Sequence, residues 1–305
     1  MKKITYYLLD VFTQRQYGGN QLAVFLDLDD QLTGKDMLQM AREINFAEST
    51  FIKKRLADQH YTVKIFTPES EIPFAGHPTI GTSFVIANHL LSTPASTILL
   101  DLNHATIEVH IATAEKPASS LFVMTQAPPN FLQTFTADAL ATGLGLDPAT
   151  LSEGLPIQEI STGLPFLIVP LRNLAAMRQI QLTAPQLKDF LLRHDGYKST
   201  HPEGLSTSLF FFTSETFENQ NDYHTRMFCI EDDVLKEDAA TGSANGCLLA
   251  YLLRYRAERI RARVEQGFLM NRKSYLHLDG TRRGDHYELK VGGHAKLVAK
   301  GEWWG

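Results

Sequence analysis

The run Glu237-Asp238-Ala239-Ala240-Thr241-Gly242-Ser243-Ala244 sets a carboxylate before small residues and a Gly-Ser pair that opens an apolar helical pattern. Unpaired N–H groups and the positive end of a helix dipole at such a turn attract a carboxylate or phosphate, with an acid held alongside. The same residue types cap helices without any ligand, and Asp238 and Ser243 fit that plainer role too. A second turn, Pro73-Phe74-Ala75-Gly76-His77-Pro78-Thr79-Ile80-Gly81, again puts small residues at a helix start and adds His77, which can donate, accept or shuttle a proton near neutral pH. In a third stretch, Asn45-Phe46-Ala47-Glu48-Ser49-Thr50-Phe51-Ile52, Glu48 interrupts an apolar, strand-forming run. Desolvation there raises a carboxyl pKa toward the range that moves protons at neutral pH, unless the side chain faces water.

The elements that must position these residues alternate between short strands and helices, which points to an α+β or α/β architecture. Strands are expected at 4–11, 22–25, 49–53, 61–66, 98–101, 106–111, 121–126, 166–169, 209–213 and 225–229. Helices are expected at 34–44, with Met37, Met40 and Ala41 on one face, at 79–91, and at 244–260, where Leu248, Tyr251, Leu252 and Tyr255 recur at helical spacing. Gly143-Leu144-Gly145 reads as a helix C-cap, with Asp147-Pro148 starting the next helix, because a dinucleotide fingerprint needs a third glycine and a preceding strand. Pro128-Pro129 marks a domain boundary, giving domains 1–127 and 128–305, with the last residues able to return to the first domain. Residues 66–91 lie over 228–253 at a constant offset of 162, with Phe66/Phe228, Glu69/Glu231, Thr79/Thr241, Leu90/Leu252 and Leu91/Leu253 identical. The shared order of strand, acidic loop, small-residue turn and helix favours a duplicated fold. If the halves pack face to face, the two turns meet across one cleft, a favoured place for a ligand.

Composition narrows the classes. The 305 residues are 44% hydrophobic with a formal charge of -5, and the basic stretch Arg254 to Arg263 is interrupted by Glu258, so nucleic acid is not expected as a partner. The apolar start after Met1-Lys2-Lys3 ends at Asp10 with no small-residue cleavage site, and no run reaches the roughly 20 residues of a membrane span, so a cytoplasmic protein without membrane insertion is expected. Cys229 and Cys247 are too few for a disulfide scaffold and read as reduced, buried thiols. His201, His224, His277, His286 and His294 are scattered singly, and no metal site is expected. Trp303 and Trp304 belong to a last strand and cover apolar surface.

With these residues on the page, the chain resembles the phenazine biosynthesis PhzF-like family of the diaminopimelate epimerase-like fold. The matching pieces are Asp10-Val11-Phe12-Thr13, Gly19-Asn20-Gln21-Leu22-Ala23-Val24-Phe25, Glu48-Ser49-Thr50-Phe51, Ile65-Phe66-Thr67-Pro68, Gly76-His77-Pro78-Thr79-Ile80-Gly81, Asp238-Ala239-Ala240-Thr241-Gly242-Ser243-Ala244, Gln266-Gly267 with Met270, Arg272 and Ser274, and Val291-Gly292-Gly293. The resemblance implies an α+β fold of two pseudo-symmetric domains, each a curved sheet wrapped around a central helix, and a homodimer that uses no cofactor. It implies that Glu48 is the acid/base moving a proton between carbons of a small carboxylate-bearing substrate, that His77 and Asp238 assist, and that Asn20, Gly76, Gly242 and Ser243 bind the substrate. Gln21, Ala47 and Ala240 depart from the family pattern, where proline, serine and proline are usual; none removes a proton-transfer group, but they weaken the case for the namesake substrate. Two other functions stay in view. A racemase of the same fold needs a thiol in each turn, where this chain offers none, and a silent small-molecule-binding protein would keep the site without turnover.

Overall fold

The computed structural model describes residues 3–102, 105–201, 204–231 and 233–304, so Met1 and Lys2 of the N-terminal run lie outside it. The chain divides into two compact units, Met1–Thr125 with Asn271–Tyr275 and Lys290–Gly305, and Gln126–Met270 with Leu276–Leu289.

The first unit holds strands β1 (Lys3–Val11) and β2 (Asn20–Leu26), helix α1 (Gly34–Ile44), strands β3 (Glu48–Ala57), β4 (His60–Phe66) and β5 (Glu71–Ile72), helix α2 (Gly76–Val85), and strands β6 (Thr97–Leu102), β7 (Ala105–Ile111) and β8 (Phe122–Thr125). β2 runs antiparallel to β1 and parallel to β3, and β4 pairs antiparallel with β3 and β5 and parallel with β6. Leu22, Ala23, Val24 and Phe25 of β2 are all fully buried, as a strand covered on both faces requires. Ala23 and Phe25 join Met37, Met40 and Ala41 of α1 on one face, and Leu22 turns to α2 on the other. The spacing of Met37, Met40 and Ala41 is the helical stripe that α1 buries, and Thr33 closes a capping box with Asp36 at its start. All ten residues of α2 are buried, and it lies against β1, β2, β3, β6, β7 and β8, so the sheet curves around it.

The second unit holds β9 (Asn130–Phe135), α3 (Ala137–Leu144), β10 (Ile157–Ser161), β11 (Pro165–Pro170), α4 (Leu174–Gln179), α5 (Ala184–Arg193), β12 (Ser208–Thr213), β13 (Tyr223–Glu231), β14 (Val234–Asp238), α6 (Gly242–Tyr255), β15 (Arg259–Gln266), most of β16 (Ser274–Arg283) and the start of β17 (His286–Gly293). Along β12 the side chains alternate: Leu209 and Phe211 enter the core built with α3, α4 and α5, while the ring of Phe212 meets Tyr251 of α6 at 5.6 Å. Residues 242–253 of α6 are buried throughout, the condition of a helix that is apolar nearly all round. The final strand, β18 (Ala295–Trp304), returns to the first unit and pairs antiparallel with β1 from Val11↔Ala295 to Lys3↔Trp304.

The duplication read in the sequence is present in the topology. β11 is parallel to β12 as β2 is to β3; β13 is antiparallel to β12 and β14 and parallel to β15, as β4 is to β3, β5 and β6. The constant offset fails within the repeat: Phe66 and Phe228 are equivalent, but β14 has five residues against two in β5, and α6 starts four residues later than the offset places it. Thr79 therefore sits inside the first turn of α2, whereas Thr241 is the N-cap of α6.

Other expectations are corrected. The long helix stops at Tyr255, and 259–266 forms β15, whose Ile260, Ala262 and Val264 alternate with arginines at the strand period. Asp147-Pro148 opens only a single 3-10 turn, while Gly145, in the left-handed conformation, does cap α3. Cys229 is half-buried and Cys247 buried. Trp303 packs on Tyr6 and Phe25, but Trp304 is exposed. His201 and His224 are not isolated: each faces a buried carboxylate, Glu159 at 3.4 Å and Glu265 at 3.0 Å. Among the described residues no helix is long and apolar enough to cross a membrane.

Candidate active site

The first unit gathers Asn20, Glu48, Gly76 and His77. Asn20 opens β2 and Glu48 opens β3, which run side by side with Glu48 opposite Leu22. Gly19 precedes Asn20 with φ +65, and a Cβ there would stand 2.2 Å from the Val11 carbonyl, so only glycine fits this approach. Arg272 fixes the same loop by donating to the carbonyls of Gly19 (3.0 Å) and Gly18 (2.7 Å) while pairing with Asp10 at 2.5 Å. A hydroxyl bond of 2.8 Å from Thr82 to Thr50 ties α2 to β3 behind Glu48.

His77 is the second residue of α2 and buried, with Nδ1 3.3 Å from Asn20 Nδ2. Its Nε2 has no hydrogen-bond partner and stands 3.6 Å from Glu48 Oε2, whose side chain is 19% accessible. Burial pushes the imidazole pKa down to about 3, against a hydrogen bond with the Gln21 backbone that raises it. Burial thus favours the neutral imidazole, which can hold or orient a proton beside the carboxylate. Ala75, the N-cap of α2, makes no side-chain cap bond.

The second unit gathers Asp238, Gly242 and Ser243. Asp238 ends β14 and accepts a 2.6 Å bond from the Thr241 hydroxyl. Gly242 and Ser243 are the buried first residues of α6, and the N-cap Thr241 makes no side-chain cap bond. A helix start buried in this way keeps N–H groups directed at whatever occupies its end.

Two residues not singled out from their chemistry hold this turn. Gln266, fully buried, accepts from Thr241 N (3.2 Å) and Asn245 Nδ2 (3.3 Å) and donates to Asp238 O (2.9 Å) and Thr241 Oγ1 (3.0 Å). Asn245 also donates to the Thr241 carbonyl at 2.9 Å. The available signal was Asn245 itself, a polar residue inside an apolar helix, which must find partners. Among the described residues no group of three His, Cys, Asp or Glu could hold a metal.

A curved sheet around a buried helix, with a carboxylate and an imidazole at the helix start, defines a member of the epimerase and isomerase class of this fold. The chain matches the family model described as phenazine biosynthesis-like protein, PhzC-PhzF, over residues 9–301, and it belongs to that family, as an enzyme of the isomerase class. It is 30% identical to the trans-2,3-dihydro-3-hydroxyanthranilate isomerase of Pseudomonas aeruginosa over 97% of this chain and 98% of that one. It is 29% identical to an uncharacterized isomerase of Mesorhizobium japonicum over 99% of both chains. The crystal structure of the Bacillus anthracis phenazine biosynthesis protein of the PhzF family superimposes over 100% of both chains with a TM-score of 0.84 at 25% identity.

Proposed function

We propose that this isomerase moves a proton between carbon atoms of a small, unsaturated carboxylate without a cofactor, with Glu48 as the acid/base. The carrying observation is the Glu48–His77 pair, a partly accessible carboxylate 3.6 Å from a buried ring nitrogen that has no hydrogen-bond partner. In the step, the Glu48 carboxylate takes a proton from a C–H beside a double bond and the C–H electron pair shifts into the unsaturated system. The carboxyl then returns the proton to another carbon, so no net redox occurs. Each uncapped start, that of α2 and that of α6, offers N–H groups suited to a carboxylate. A homodimer belongs to the same proposal and is measured by sedimentation.

A racemase with two thiols finds little support. Burial pushes the Cys247 thiol up to about 12, and the side chain meets Thr162 rather than either turn. Cys229 lies within β13.

The test is incubation in heavy water with small unsaturated carboxylates, beginning with the compound for which the Pseudomonas relative is named. Deuterium is expected to enter at carbon, and Glu48→Gln is expected to reduce that rate by roughly 10²–10⁴-fold with the fold intact. Full activity in the variant rejects the proposal. Tight binding of a ligand with no exchange favours the silent binding protein.

A further inference from the structure

Gln126 lies against α6 at Gly246, near the start of the helix. It is 7% exposed, and both ends of its carboxamide, Oε1 and Nε2, are buried without a hydrogen-bond partner. Its backbone is fixed, donating to the Leu289 carbonyl at 2.9 Å, so the side chain's position is set by the sheet. A Cβ built on Gly246 would stand 2.8 Å from Oε1, 2.9 Å from Cγ and 3.1 Å from Cδ, so glycine at 246 is what gives the carboxamide its room. On a helix the Cβ direction tilts toward the N-terminus, and residues three and four apart share a face. The carboxamide therefore lies along the face of α6 that Gly246 shares with Gly242 and Ser243, on the side of the helix start that makes no side-chain cap bond. Asn245 Oδ1, in the same turn, is a second buried acceptor without a partner.

A primary amide unpaired at both ends is costly to bury, and a leucine of similar shape would not carry that cost. The retained amide matches a group that both donates and accepts. We propose that Gln126 is a substrate-reading residue of the α6 turn, binding a neutral hydroxyl or amino substituent beside the substrate carboxylate. This rests on the reading that α6 holds a carboxylate and adds the substituent that tells one carboxylate from another.

The test compares cyclohexanecarboxylate with 2-hydroxycyclohexanecarboxylate by calorimetry, on the full chain and on Gln126→Leu, with thermal unfolding of both proteins. The native protein is expected to prefer the hydroxylated probe by roughly tenfold. Gln126→Leu is expected to erase that preference while raising Tm by roughly 2–4 °C, since an unsatisfied amide is removed. Gly246→Ala, which displaces the carboxamide without removing it, is expected to weaken the same preference. A preference that survives in Gln126→Leu, a fall in its Tm, or no preference in the native protein overturns the proposal. Failure of the isomerase reading is separately visible, because it would appear as Glu48→Gln keeping full exchange activity, a result that leaves the probe preference untouched.

Discussion

Nε2 of His77 faces Oε2 of Glu48 across 3.6 Å, with the imidazole buried and its pKa pushed down to about 3. A ring held neutral by burial in the native state regains its ordinary pKa of about 6.5 on unfolding. Between those values the unfolded chain binds the extra proton, so stability is fully present above about pH 6.5 and falls as pH drops toward 3. The slope from this one group is about 1.4 kcal/mol per pH unit. Urea unfolding at pH 6.5, 5.5 and 4.5 is expected to show His77→Asn with a shallower acid loss than the native protein. Equal slopes would mean that the ring is not buried neutral.

Gln266→Leu removes three contacts with the Asp238–Thr241 turn and one with Asn245. Leaving the Thr241 N–H and the Asp238 carbonyl without these partners is expected to cost about 2–4 kcal/mol of stability and to raise KM for a carboxylate substrate more than it lowers kcat. Chemical denaturation with steady-state kinetics reads both effects, and an unchanged KM counts against the turn as an anion site.

Gly81 lies where α2 meets β1 and β2. An added Cβ would stand 2.4 Å from Leu22 Cδ2 and 2.8 Å from Val11 Cγ2. Gly81→Ala is expected to lose about 1–3 kcal/mol through overpacking, even though alanine is the better helix former, because the close fit outweighs a propensity gain of about 1 kcal/mol. A higher Tm for the variant would show that the sleeve around α2 yields.

Lys53 is buried against Asp27, which is fully buried, and also reaches Asp30 at 2.7 Å and the Leu32 carbonyl at 2.9 Å. Burial alone would lower the lysine pKa, but hydrogen bonds and charge from the two aspartates outweigh it and leave the pKa raised. Lys53→Met is expected to destabilise by about 3–5 kcal/mol by stranding the Asp27 charge. Activity per folded molecule should not change, which activity assays well below the Tm would check.

The parts legible in the sequence are those whose meaning is local. The Leu22-Ala23-Val24-Phe25 run announces a strand buried on both faces, and Gly246-Cys247-Leu248-Leu249 a helix buried all round. Both turns were visible as small residues at helix starts. β14 was not, since Val-Leu-Lys-Glu-Asp is largely solvated and is a strand only because β13 pairs with it. β15 was missed, its first two residues falling in the expected helix 244–260, because its arginines mask a period-two pattern. The roles of Gln266 and Gln126 were not legible for a different reason: an amide acquires its role from what lies across the fold, and Gln266 meets Thr241 from 25 residues away.

β18 has a consequence for how the molecule is made. Its ten residues supply one whole edge partner of β1, and they follow every segment of the second unit in the chain. The segments of the second unit end at Leu289, so that unit can complete while β1 still lacks its neighbour. During synthesis the unit that holds Glu48 and His77 is thus the later to close, with an open strand edge for a chaperone to guard.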